Sequence, residues 1–114
     1  MSKRRVVVTG LGMLSPLGAS VETSWEGLTA GRSGIAPITA FDTDSYPVRF
    51  GGAVPDFDMS SYLPAKEARR MDGFIQWGLA AGIQAIRHSG LEDSDSDLSR
   101  VGVAMGSGIG GINT

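Results

Sequence analysis

The protein has 114 residues, 41% apolar and 19% charged, with a formal net charge of −2; this reads as one globular domain over residues 1–114, with no bulk positive field to attract nucleic acid. No apolar run reaches the ~18 residues of a membrane span, and the basic start from Met1 to Arg5 precedes too short an apolar core for a signal peptide, which points to the cytoplasm. Zero cysteines exclude disulfides, a thiolate nucleophile and a cysteine metal site, and a single histidine, His88, leaves no histidine cluster to hold a metal.

Arg5 to Thr9 is a β-branched run closed by Gly10, the pattern of a strand buried on both faces in a parallel sheet. Gly10-Leu11-Gly12 then turns, and Pro16 keeps residues 15–18 irregular. Ser20 can cap a helix with Glu22 in its first turn, Val21, Trp25 and Leu28 forming an apolar stripe and Gly31 a left-handed stop. Residues 32–47 read as loop, and Val48 to Val54 as a short strand weakened by Gly51 and Gly52. Turn and cap chemistry runs from Asp56 to Ser61. A short helix includes Lys66 to Arg70.

The clearest element is a helix from Asp72 to Ser89, stopped by Gly90. Ile75, Leu79, Ile83 and Ile86 repeat at helical spacing, and Phe74, Trp77 and Ala81 widen the apolar arc. Gly78, Ala80, Ala81, Gly82 and Ala85 offer a small-residue surface for close packing, so the helix is expected to be buried between layers. Glu92 to Asp97 is an acidic surface loop without the glycine and final glutamate of a calcium loop. Val101 to Met105 reads as a second strand. The order strand, helix, helix, strand predicts an α/β layered fold.

Gly106, Gly108 and Gly111 fit the G-x-G-x-x-G spacing of a dinucleotide turn. That chemistry needs a helix N-terminus after the glycines and an acid ~20 residues on, and the chain ends at Thr114 before either. The earlier near-match at Gly10 is followed by Pro16, where the helix should run. His88 falls near a helix C-terminus, where positive charge is favoured. Lys66, Arg69 and Arg70, at i, i+3 and i+4, share one helix face; they read either as a solvated face or as a local anion-recognition patch. From these residues alone, no catalytic group stands out.

Five stretches in order, RRVVVTGLGMLSPLG at 4–18, WEGLTAGRSGI at 25–35, FDTDSY at 41–46, KEARRMDGFIQWGLAAG at 66–82 and VGVAMGSGIGG at 101–111, resemble the N-terminal region of the bacterial 3-oxoacyl-[acyl-carrier-protein] synthase 2 family. These are the elongating condensing enzymes of fatty-acid synthesis, with a thiolase-like α/β/α/β/α layered fold; polyketide ketosynthases are relatives. The resemblance implies decarboxylative condensation of malonyl-carrier protein with an acyl thioester, no dissociable organic cofactor and a homodimer. It assigns Gly108 and Ile109 to the acyl pocket, with Ile109 as the gate on chain length, and Lys66, Arg69 and Arg70 to docking of the acidic acyl-carrier protein. It also implies that the family's cysteine nucleophile and two histidines lie on later elements; His88 matches neither histidine. The chain is then an N-terminal portion, inactive alone. A non-catalytic carrier-binding or dimerisation module and an unrelated nucleotide-binding domain are the rival readings.

Overall fold

The computed structural model describes residues 2–55 and 57–112. The first helix, α1 (Val21–Thr29), begins where its sequence says it should. The Ser20 hydroxyl accepts from the Thr23 amide at 3.2 Å, and the Thr23 hydroxyl accepts from the Ser20 amide at 3.2 Å. This reciprocal cap satisfies two amides that the first turn leaves orphaned. Gly31, at φ +71°, lets the chain leave in the left-handed region.

The face α1 buries is not its apolar stripe. Trp25 is 62% exposed and Leu28 is exposed as well, while Ser24 and Gly27 are buried. The cause is the Ser15–Gly18 turn, closed by Ser15 N–H to Gly18 C=O at 2.9 Å and Gly18 N–H to Ser15 C=O at 3.1 Å. It lies against α1 and pairs the Ser15 and Ser24 hydroxyls at 2.6 Å. A side chain at Gly27 would press on Leu17. A polar turn with its own hydrogen bonds to make recruits the serine and glycine side of the helix.

Strands β1 (Ile35–Pro37) and β2 (Phe50–Gly52) pair antiparallel, Ile35 opposite Gly52 and Pro37 opposite Phe50. Ile38 N–H to Arg49 C=O extends the pairing by one bond at 2.9 Å. β1 falls in the segment expected to be loop, and β2 is shorter than the strand expected over 48–54. Pro37 is tolerated because the pair has open edges on both sides.

The expected strands at 5–9 and 101–105 do not form among the described residues, so the parallel sheet is absent here. A strand needs a neighbour to take its N–H and C=O groups, and β1 and β2 are paired only with each other. Val6, Val7 and Val8 are exposed in consequence.

Short 3₁₀ turns at Met59–Ser61, Leu91–Asp93 and Leu98–Arg100 punctuate the second half. Asp56, where the predicted turn chemistry begins, lies outside the described residues. Helix α2 is only Ala65–Ala68, with Arg69 as its cap and Arg70 just beyond. The helix expected through Arg70 therefore ends earlier.

Helix α3 (Gly73–Ser89) begins one residue after the expected start at Asp72, which sits at its N-cap, and Gly90 at φ +67° stops it as expected. It is the hub on which the chain is strung. The segment 10–13 crosses it so closely that a Cβ on Gly12 would collide with the Ala81 carbonyl, and one on Gly10 would lie 2.6 Å from the Ser89 amide. Leu11 and Met13 donate their amides to His88 Nδ1 and Gln84 Oε1, each at 3.0 Å. Farther toward its start, Met105 lies against Gly78 and Gly82. The small-residue surface thus works as its composition predicts. Complete burial of α3 does not follow: Ala80 alone on it is fully covered, and Phe74, Ile75 and Trp77 remain exposed.

Candidate functional site

An apolar groove of about 650 Å³ is floored by α3 and walled by the segment 103–107. The helical repeat of Ile75, Leu79, Ile83 and Ile86 lines it, with Trp77 at one end and Val103 and Met105 on the far side. The side chains reach one wall because they recur every three to four residues on one helix face. Apart from the Ser107 hydroxyl the lining is apolar, suited to holding apolar matter and excluding water.

The glycine loop begins at the groove and leaves it. Gly106 and Ser107 line the cavity. Gly108 has open space around it, and Ile109 is 83% exposed, lining neither this groove nor the smaller cleft formed by residues 72–74, Trp77 and 110–112. Gly110 turns at φ +73° and lies on the Phe74 ring, where a Cβ would come within 3.0 Å of the ring carbon Cζ. Of the loop glycines at 106, 108 and 110, only Gly110 is required by close approach within this chain. The two residues expected in an acyl pocket, Gly108 and Ile109, are next to the groove in sequence but outside its wall.

The basic residues sit about the corner between α2 and α3. Lys66, Arg69 and Arg70 are all exposed, and among the described residues none enters an ion pair. Ala68, between them in sequence, is buried and turns the opposite way. The corner is held by Gln76 of α3, whose Nε2 donates to the Ala68 and Met71 carbonyls, both at 2.9 Å. The three cations are therefore solvated and displayed from a fixed backbone, separate from the lining of the groove.

Three further polar side chains on α3, those of Gln84, Arg87 and His88, do structural work that their sequence context conceals. Gln84 accepts from Met13 and donates to the Ala19 carbonyl at 2.8 Å and the Tyr62 hydroxyl at 2.9 Å. One amide thus ties the N-terminal segment, the start of α1 and the 59–62 turn to one point. Arg87 lies over the Tyr62 ring at 5.6 Å, adding a cation–π contact. His88 accepts the Leu11 amide at Nδ1, which holds the crossing segment against the end of α3.

Two carboxyls held low by neighbouring serines lie away from the groove. The Ser99 hydroxyl, then its amide, hold the Asp97 carboxyl below the usual carboxylate range, and Ser60 does the same for Asp58. Both cap 3₁₀ turns. No helix among the described residues is long and apolar enough to cross a membrane.

Comparison with known proteins covers nearly the whole chain. The family model described as beta-ketoacyl synthase, N-terminal domain, matches residues 3–114. The 3-oxoacyl-[acyl-carrier-protein] synthase 2 of Vibrio cholerae is 59% identical over 112 residues, 98% of this chain. The protein of the same name from Coxiella burnetii is 49% identical over 98% of this chain. This chain spans 27% of the length of each of these relatives. Among solved structures, the ishigamide ketosynthase/chain length factor superposes with a TM-score of 0.68 at 40% identity, covering 81% of this chain and 23% of that one. The fold class is accordingly the α/β, thiolase-like one of ketosynthases, with the parallel-sheet strands unpaired here. With a family match across residues 3–114 and close relatives along the same length, this chain belongs to the beta-ketoacyl synthase family, in its N-terminal domain.

Proposed function

We propose that the chain is the N-terminal part of a cytoplasmic, homodimeric condensing enzyme that joins malonyl-carrier protein to an acyl thioester with loss of carbon dioxide. The observation that carries this reading is the 59% identity over 98% of the chain to a 3-oxoacyl-[acyl-carrier-protein] synthase 2. In the reaction, a cysteine thiolate takes the acyl group as a thioester. Decarboxylation of the malonyl unit generates the carbanion that attacks the thioester carbonyl, and the thiolate leaves. This chain has no cysteine, so its contribution is to shape and bind. The apolar groove along α3 supports a role in housing an aliphatic chain, because such matter is recognised by area and shape rather than by hydrogen bonds. Gly108 and Ile109, outside the groove's wall in these 114 residues, are assigned to the acyl pocket of the full-length enzyme, Ile109 as the gate. Lys66, Arg69 and Arg70 support docking of an acidic carrier protein, since exposed, unpaired cations steer and orient encounter with an opposite charge.

The test is the intact mass of the protein from its native cells, together with acylation by an acyl-carrier protein. A mass several times 11.9 kDa and a stable acyl-enzyme are expected. A mass near 11.9 kDa with no acyl-enzyme would overturn the condensing reading and leave a carrier-binding or dimerisation module.

A further inference from the structure

We infer that Gln76 is a positioning residue for the carrier-docking surface, setting the geometry of Lys66, Arg69 and Arg70 without touching the partner. The inference rests on the docking reading above. Helix α2 has four residues, far below the length at which a helix persists by its own hydrogen bonds. Its last carbonyls have no further turn to accept from. The segment that follows turns at residues 69–71 before α3 begins, and two of the three cations sit in that turn.

Gln76 resolves both problems with one group. Each N–H of its amide reaches a different carbonyl, Ala68 at the end of α2 and Met71 at the end of the corner, both at 2.9 Å. The backbone adds Arg70 N–H to Glu67 C=O at 3.0 Å and Met71 N–H to Ala68 C=O at 3.1 Å. The corner bearing Arg69 and Arg70 is thereby bracketed between two carbonyls pinned to the first turns of α3. Ala68, buried beneath it, fixes which side faces inward. The amide is half-buried, so water replaces it poorly; a group that cannot donate takes this donor from the Met71 carbonyl and leaves the Ala68 carbonyl with the Met71 amide alone. Long cationic side chains tolerate small displacements singly. A cluster matched to a pattern of carboxylates does not, since its contribution depends on all three charges arriving together.

The test uses the full-length enzyme and the near-isosteric Gln76→Glu, whose carboxylate can accept but not donate. We expect the KM for carrier-borne acyl substrate to rise roughly five- to tenfold, with kcat and the KM for an acyl-pantetheine thioester lacking the carrier unchanged. In a background with Lys66, Arg69 and Arg70 reversed to Glu, Gln76→Glu should add nothing further. If charge reversal raises the carrier KM but Gln76→Glu does not, the positioning role is overturned and docking stands. If charge reversal itself leaves the carrier KM unchanged, both fall. Equal losses on carrier-borne and carrier-free substrate would mark Gln76 as a general structural residue and overturn the proposal. A variant too unstable to assay is replaced by Gln76→Leu, which removes the donors without adding charge, read by the same ratio of the two KM values.

Discussion

Ile109 shows how a side chain's neighbours decide what it can do. It is 83% exposed and follows three residues, Gly106 to Gly108, of which the first two line the groove. As a gate it must close against surface that the 114 residues do not supply. Replacing it with Phe in the full-length enzyme should shift products toward shorter acyl chains, because overfilling a packed pocket costs about 1–3 kcal/mol. Chromatographic product profiles identical to the native enzyme's would remove Ile109 from that role. Single residues were also where sequence reading was weakest. His88, Gln76 and Gln84 each have partners 5 to 77 positions away, and no local spacing announces a hydrogen bond of that reach.

At the scale of elements, caps and stops were legible and packing partners were not. Ser20, Gly31 and Gly90 mark helix ends through chemistry local to a few residues. Which face of α1 is buried depended on the Ser15–Gly18 turn, and the apolar stripe pointed the wrong way. The small-residue face of α3 was read correctly because close approach demands missing atoms whatever the approaching segment is. Gly12 tests this. Gly12→Ala in the full-length protein should lower the unfolding free energy by about 1–3 kcal/mol in urea titration, since the crossing segment must lift off Ala81 and weaken two amide bonds to α3. Ser96→Ala, in the exposed acidic loop, is the control, and the change there should be near zero. Equal effects at both positions would mean that close packing at Gly12 is not what holds the segment.

At the scale of the molecule, the chain is extended and poor in core. Its radius of gyration is 17.5 Å, against about 13 Å for a compact domain of this length. Its accessible surface is 9393 Å², against about 5,900 Å² expected for its mass. Ala68 and Ala80 are the buried apolar residues among those described, while Val6, Val103, Trp25 and Phe50 face outward. So much exposed apolar surface drives association. The 114 residues expressed by themselves should melt broadly, bind ANS and sediment as aggregates. A sharp, concentration-independent melt of a monomer would contradict this.

The sequence alone determined the α/β class, the limits of α1 and α3, the glycine and alanine face of α3, and, through five matched stretches, the family. These depend on propensity, capping and steric exclusion, which act over one or two turns. Tertiary structure decided the rest: the antiparallel pairing of β1 with β2, the exposure of Trp25 and Ile109, the unpaired runs at 5–9 and 101–105, and the amide clamps of Gln76 and Gln84. A strand exists only when a neighbour takes its hydrogen bonds, and a side chain is buried only when something covers it. Both depend on segments far apart along the chain, and spacing within one segment carries no record of them.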